Sequence, residues 1–152
     1  MLQIEIKKEL FKQCEDFVNN RLQTVEDIIS SNRKALHSET KSSAGDKHET
    51  GRAMLQLEME KAGQQLYGIT QMKTILAKID ISKTSEVAHL GSLIETNSAN
   101  YFLSISAGQF TIKGNNYFAI SVSSPIGKLL LGKRISDTFV FNGNQIQITN
   151  IQ

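Results

Sequence analysis

A seven-residue apolar repeat is the feature that most constrains the fold of this chain of 152 residues. Near the start, the repeat consists of Phe11, Val18, Val25 and Asn32, followed three residues later in each case by Cys14, Arg21, Ile28 and Ala35 and widened by Leu22, Ile29 and Leu36. A second stretch has Leu55, Ala62, Ile69 and Leu76, flanked by Met59, Leu66, Met72 and Ile79. Repeats of this period predict helices whose apolar seams face a partner helix.

A polar break at residues 40–50 separates the two repeats and contains no large apolar side chain. We therefore predict two helices, over about 3–39 and 50–79, that form an antiparallel coiled-coil hairpin about 45–55 Å long. Gly51, Gly63 and Gly68 each weaken the second helix by up to about 1 kcal/mol relative to alanine. The apolar repeat keeps its phase through all three glycines, so we expect one continuous helix. Arg21 and Asn32 are predicted to be polar, register-setting positions on the seam.

From Val87 onward the apolar period changes to two, which is typical of strands. The predicted strands are 90–96, 101–106, 109–113, 117–122, 138–141 and 145–151. Asn142-Gly143-Asn144 is a strong hairpin signal, because asparagine and glycine accept the positive φ angles of a tight turn. One short helix interrupts the strands, with Ser124 as its cap, Pro125 in its first turn and Gly132 after its end.

The fold class expected from these elements is α+β. A helical hairpin comprises residues 1–80 with its tip at 40–50, a linker comprises 81–86, and a small antiparallel β domain with one short helix comprises 87–152. The net charge of +2 is too small for binding nucleic acid through bulk charge. The chain begins without a signal-peptide pattern, lacks an apolar stretch of membrane-spanning length and has a single cysteine, so we expect a cytoplasmic protein with no membrane partner.

The polar break contains an acidic pair, Asp46 and Glu49, three residues apart. This spacing fits a capping box, in which Asp46 caps the second helix and Glu49 reaches back to it. Two carboxylates at the tip of a hairpin also fit a metal-binding role, and both roles are compatible. The three histidines have no metal-ligand spacing with one another or with Cys14, so no zinc site is expected. Cys14 is predicted to be a buried apolar filler.

The stretch Ser121–Asp137 resembles the C-terminal domain of the Gre transcript-cleavage factors, which have the run S-P-I/M-x-x-x-L-L/I-G-K-x-x-G-D. Upstream, Gly45-Asp46-Lys47-His48-Glu49 is similar to the G-D-x-x-E-N tip of that family. Gre factors consist of an N-terminal antiparallel coiled coil and an FKBP-like domain. That order and those sizes match the elements predicted above, so the resemblance covers nearly the whole chain.

The resemblance implies a function. Gre factors dock on RNA polymerase through the globular domain and insert the coiled coil into the secondary channel. There the tip acids help the polymerase to hold a second Mg²⁺, and the polymerase cuts the backtracked transcript near its 3′ end. Asp46 and Glu49 would be the catalytic and metal-orienting acids, acting only jointly with the polymerase. The serine-proline turn, which comprises Ser123, Ser124, Pro125 and Ile126, would dock.

Under the same resemblance, basic side chains near the tip would contact the RNA end, and the candidates are Arg33, Lys34, Lys41, Lys47 and Arg52. Such a factor is not itself an enzyme and takes no small-molecule substrate. Its Mg²⁺ is shared with the polymerase, and we do not expect the free protein to bind the ion, because two carboxylates are too few ligands.

The chain departs from the family pattern in the tip and in the docking turn. After Glu49 it has Thr50-Gly51-Arg52-Ala53, where the family usually continues as N-A-E-Y, and Ser123 stands where the family often has aspartate or asparagine. These changes keep two alternatives open: a secondary-channel regulator that does not stimulate cleavage, and a coiled-coil adaptor or chaperone-type binding module. Prolyl isomerisation, a further activity of FKBP-like folds, would rest on fold analogy alone.

Overall fold

The computed structural model describes the backbone of residues 3–41 and 45–152, and the side chains of these residues apart from 39–49. Within this part of the chain there are two long helices, six strands and one short helix. The helices are α1 (Gln3–Lys41), α2 (Gly45–Ala77) and α3 (Pro125–Leu130). The strands are β1 (Leu93–Thr96), β2 (Asn100–Ser104), β3 (Gly108–Ile112), β4 (Asn115–Ser121), β5 (Thr138–Phe141) and β6 (Asn144–Ile151). The predicted α+β class and the helical hairpin are confirmed.

Both long helices are continuous, as the unbroken phase of the repeat predicted. Helix α2 passes through Gly63 and Gly68, and a Cβ atom added at either position would meet nothing within 4 Å. These glycines therefore lie in helical backbone without a close neighbour that requires their small size. The helix also starts five residues earlier than the predicted residue 50.

The seam of α1 differs in detail from the predicted one. Val18, Val25 and Asn32 are buried, and Leu22, Ile29 and Leu36 are partly buried between and beyond them. Arg21 is exposed and Ile28 is 39% exposed, so the prediction that these two residues lie on the seam was wrong. Alternating steps of four and three residues keep the buried set on one stripe. The set three residues after Val18 and Val25 instead faces away from that stripe.

Contacts divide the chain into two compact units. One contains α1 up to Phe17 together with Thr74–Gln152, and the other is Val18–Lys73. The first unit therefore includes the roots of both long helices as well as the sheet. The second unit has the apolar seam as its core, with Val18, Val25, Ala62 and Ile69 all at most 5% exposed.

The six strands form one sheet in the order β3-β4-β2-β1-β6-β5. All neighbours are antiparallel except β2 and β4, which run parallel with Tyr101 opposite Phe118 and Ser104 opposite Ser121. A wholly antiparallel sheet was predicted, and this pair corrects it. Strand β3 goes to the sheet edge, and β4 then returns between β3 and β2. Consecutive strands β2 and β3 are consequently not neighbours.

One face of the sheet and helix α3 enclose the main core of the β domain. Its buried members are Ala88, Ile94, Tyr101, Leu103, Ile126, Leu130, Phe139, Ile146, Ile148 and Ile151. The opposite face contains Leu93 and Phe102, which are paired in register and almost fully buried. Phe102 is followed two residues later by Ser104, whose hydroxyl lies 3.6 Å from the Cys14 sulfur of α1. The root of α1 thus lies against this second face, within the same compact unit.

Two tight hairpins have positive φ angles at both central residues. Asn142 and Gly143 have φ angles of 52° and 79°, between β5 and β6, which confirms the predicted turn. Lys113 and Gly114 have φ angles of 48° and 82°, between β3 and β4. Positive φ at both positions matches the right-handed twist of the flanking strands.

Candidate functional site

The predicted catalytic pair lies at the start of α2. Because this helix begins at Gly45, the backbones of Asp46 and Glu49 belong to its first five residues. Their side chains lie outside the part that the structure describes, so the metal-orienting and capping roles stay predictions. Acidic residues at this end of a helix interact favourably with the helix dipole, whatever their further role.

The predicted RNA-contacting residues are divided between the two long helices. Arg33 and Lys34 of α1 and Arg52 of α2 are exposed. The side chains of Lys41 and Lys47 fall outside the described residues, although their backbones are helical. Arg33 and Lys34 line a shallow groove of about 370 Å³ with Glu26, Ile29 and Ser30. The two cations are thus accessible to an anion, with one acid beside them.

The serine-proline turn joins β4 to α3. Ser124 is the N-cap of α3, and its hydroxyl accepts a hydrogen bond from the Gly127 N–H at 3.1 Å. Pro125 occupies the first helical turn, where its missing N–H has no intrahelical partner to lose. The predicted cap, first-turn proline and end of this helix at Gly132 are confirmed, since Gly132 has a φ of 84° after the C-cap Leu131.

The four residues of the serine-proline turn differ in accessibility. Ser123 and Pro125 are exposed, and Ser124 is half-buried. Ile126 is 8% exposed and belongs to the core of the β domain. Ile126 therefore attaches the turn to the core, and the exposed Ser123 and Pro125 are available to a partner.

Ser121 and Ser106 also belong to this site, although sequence reasoning missed them. The Ser121 hydroxyl accepts a hydrogen bond from the Ser123 N–H at 3.1 Å and lies 2.8 Å from the Ser123 hydroxyl. The Ser121 N–H donates to the Ser106 hydroxyl at 3.2 Å. A serine hydroxyl commonly accepts a hydrogen bond from the backbone N–H two residues later in a turn. The Ser121-x-Ser123 spacing was therefore the sequence signal from which the role of Ser121 could have been predicted.

A second polar feature lies between α1 and α2 in the Val18–Lys73 unit. A groove of about 550 Å³ is lined by Asp27, Ile28, Ser31, Asn32, Glu58, Lys61, Ala62 and Gln65. Asn32 is 7% exposed, and its side-chain Nδ2 is a buried donor without a hydrogen-bond partner among the described residues. An unpaired buried donor costs about 1–3 kcal/mol. Asn32 therefore weakens the seam that it was predicted to occupy.

Cys14 and Lys7 are buried polar groups at the root of α1. Burial raises the pKa of the Cys14 thiol to about 11, and the hydrogen bond with Ser104 offsets this effect only in part. The thiol is therefore protonated at neutral pH, as expected of the predicted filler.

Burial lowers the pKa of Lys7, whose Nζ donates to the backbone oxygens of Lys83 and Gln152 at 3.2 and 3.3 Å. Lys7 thus ties α1 to two later segments of its unit.

Among the described side chains, no group of three or more His, Cys, Asp or Glu is arranged to hold a metal ion. Neither long helix, over the residues that the structure describes, has an apolar stretch that could cross a membrane. No family model matches the sequence, and a search of curated proteins gave no significant match.

Proposed function

We propose that this chain is a Gre-like factor of the cytoplasm that docks on RNA polymerase and inserts its helical hairpin into the secondary channel. In this proposal the β domain provides the docking surface through the serine-proline turn. The segment around Asp46 and Glu49 enters the channel and stimulates the polymerase to cleave a backtracked transcript. The polymerase, and not this chain, performs the chemical step.

The observation that supports the proposal most is the conformation of the run Ser121–Asp137. A strand ends in a serine-capped turn with proline at the first helical position, and a short helix then ends at a glycine with positive φ. Ser124, Pro125 and Gly132, which match the serine, proline and first glycine of the Gre motif quoted above, therefore each occupy a position that their own chemistry favours. The order of the hairpin and the β domain is also that of the family.

Ser136 adds an independent argument from backbone geometry. It has a φ of 76°, a region that glycine adopts readily and other residues adopt at a cost. The family motif has glycine at the corresponding position, which directly precedes the final aspartate of G-K-x-x-G-D. This backbone thus has the conformation for which the motif uses glycine, even though the chain has serine.

The proposed role of the tip follows from the chemistry of Mg²⁺. Mg²⁺ prefers hard oxygen ligands, and in a two-metal site it stabilises the attacking and leaving oxygens of a phosphodiester displacement. Asp46 would orient the ion and Glu49 would position it or its water, together with the polymerase's own ligands. Arg33, Lys34 and Arg52, with Lys41 and Lys47, would hold the phosphates of the RNA 3′ end.

The alternative within the same class is a regulator that occupies the channel without stimulating cleavage. It is favoured by the sequence after Glu49, where Thr50-Gly51-Arg52 replaces the asparagine, alanine and second acid of the family tip. Such a regulator would use the same docking surface. The two candidates therefore differ in cleavage and agree in polymerase binding.

A cleavage assay on a backtracked elongation complex tests the proposal. We expect the unaltered protein to shorten the transcript in the presence of Mg²⁺, and Asp46→Ala and Glu49→Ala to lose this effect while still binding polymerase. Glu60→Ala, which removes an exposed acid elsewhere on α2, is the matched control and should cleave normally. Cleavage by both tip variants at the unaltered rate would contradict the catalytic assignment, and binding without any cleavage would favour the regulator.

A binding assay with purified polymerase separates both candidates from the adaptor hypothesis. We expect the protein to be retained by immobilised polymerase, and Pro125→Ala to weaken retention because the exposed proline fixes the start of α3. An adaptor or chaperone-type module predicts no retention at all.

A further inference from the structure

Ser121 bonds the serine-proline turn through two of its polar groups, the hydroxyl and the carbonyl oxygen. Its hydroxyl holds the Ser123 N–H at 3.1 Å and the Ser123 hydroxyl at 2.8 Å. Its carbonyl oxygen accepts from the Ser124 N–H at 3.1 Å and from the Ser124 hydroxyl at 2.6 Å. Ser123 and Ser124 are therefore both held by the residue that ends β4.

Ser121 is itself fixed on the sheet side. Its N–H donates to the Ser106 hydroxyl at 3.2 Å, and it lies opposite Ser104 in the parallel β2–β4 pair. The start of α3 packs closely against it, since a Cβ atom added to Gly127 would collide with the Ser121 carbonyl oxygen. Ser121 thus connects the serine-proline turn to the sheet.

Ser123 differs from its neighbours because its side chain is exposed while its backbone and hydroxyl are both bonded to Ser121. Without the Ser121 hydroxyl, the Ser123 N–H and side chain lose their described partner and can rotate in solvent. Ser124 would keep its own bonds to the Ser121 carbonyl oxygen and to Gly127. The loss would therefore be confined to the exposed residue of the turn.

We propose that Ser121 is a positioning residue for polymerase binding, which holds Ser123 in the orientation that the partner recognises. This inference rests on the proposed docking function. Loss of the two hydrogen bonds that hold Ser123 should weaken binding about tenfold, which corresponds to about 1.4 kcal/mol.

The experiment measures the dissociation constant for purified RNA polymerase with the full chain and its variants. Ser121→Ala should raise the constant about tenfold, and Ser121→Thr, which keeps the hydroxyl, should restore most of the affinity. Ser98→Ala is the matched control, because this exposed serine follows β1 at the opposite end of the parallel pair. The control should bind like the unaltered protein.

The double variant Ser121→Ala with Ser123→Ala distinguishes positioning from a general loss of structure. If Ser121 acts by orienting the Ser123 hydroxyl, the double variant should bind no more weakly than the weaker single variant, because Ser123→Ala already removes the group that Ser121 orients. Additive losses, or unchanged binding of Ser121→Ala, would overturn the inference while leaving the docking function intact. No binding by the unaltered protein would overturn both.

Discussion

At three positions of this chain, the residue type does not suit the local backbone conformation or the local environment. Ser136 has a positive φ of 76°, Lys113 has a φ of 48° in a tight hairpin, and Asn32 is a buried donor without a partner. Two of these three positions lie in turns of the β domain. Each offers a substitution whose effect on stability has a definite sign.

Ser136→Gly should increase the free energy of unfolding by about 1 kcal/mol, because glycine adopts the positive φ without the Cβ clash of serine. Denaturant titration of both proteins measures the difference. Ser98→Gly, at an exposed serine outside the positive-φ region, is the control and should be neutral or destabilising. A loss of stability in Ser136→Gly would show that the serine side chain contributes more than the strain costs.

The buried thiol of Cys14 should make stability depend on pH in the alkaline range. Its folded pKa is raised from 9.0 to about 11, so between these values the unfolded state loses a proton that the folded state keeps. Stability should therefore fall as pH rises through this window, by up to about 2–3 kcal/mol. The Cys14→Ala variant should lack this component, although the buried Tyr101 and Tyr117, whose pKa values are also raised by burial, contribute equally to both proteins. Equal pH dependence of the two proteins would contradict the assignment.

At the scale of elements, the long helices follow from the sequence repeat but contain positions that the repeat does not optimise. Gly63 and Gly68 lie inside α2 with nothing near an added Cβ, and Asn32 interrupts the apolar seam of α1. The continuous helix through both glycines shows that seam packing outweighs their lower helix propensity. Substitutions at these positions report on the helices alone.

Gly63→Ala and Gly68→Ala should each stabilise the protein by about 0.4–1 kcal/mol, because alanine reduces the conformational freedom of the unfolded chain and no neighbour obstructs its methyl group. Thermal unfolding followed by helical circular dichroism gives the change. Gly143→Ala is the contrasting substitution and should destabilise, since Gly143 has a φ of 79°. Destabilisation by Gly63→Ala or Gly68→Ala would show that the helix needs glycine, without a side chain, at that position.

Asn32→Leu should raise the stability of the hairpin by about 1–3 kcal/mol, because it removes an unpaired buried donor from an apolar seam. Asn19→Leu, at an exposed position of the same helix, serves as the control and should give no such gain. Polar seam residues also specify register, so light scattering should be recorded with the unfolding curves. A stable variant of altered oligomeric state would assign Asn32 to specificity, whereas a less stable one would contradict the packing argument.

At the scale of the whole molecule, the β domain depends on the root of α1. Leu93 and Phe102 are buried on the sheet face next to Cys14, and Gln3 donates to Glu95 of β1 at 3.2 Å. The first compact unit accordingly combines α1 up to Phe17 with Thr74–Gln152. A sequence-based domain boundary before residue 87 would separate this face from the helix that lies against it.

Two shortened chains test this dependence. A chain in which a short glycine-serine loop replaces Val18–Lys73 should fold with a cooperative transition, because it retains the whole first unit. A fragment of residues 87–152 should unfold at lower denaturant concentration or associate, since its second sheet face would be exposed. Equal stability of the two chains, measured by denaturant titration and sedimentation, would show that the sheet does not need the root of α1.

Much of this architecture could be predicted because its causes lie within a few residues of one another. The heptad spacing indicated two continuous helices, Asn142-Gly143 indicated a hairpin, and Ser124-Pro125 indicated the start of α3. In each case the side chain acts on its own backbone or on the next helical turn. The acidic pair became a candidate site through its position in the polar break, whereas the serine-proline turn became one only through the resemblance to the Gre factors.

Tertiary structure decided the features that depend on distant parts of the chain. The parallel pairing of β2 with β4, the exposure of Arg21, the burial of the second sheet face and the role of Ser121 all depend on which segments meet across the fold. A local pattern specifies that a strand or helix forms and which face is apolar. The neighbour that covers this face is selected by the path of the whole chain, because packing energy is gained only when all the elements are in place.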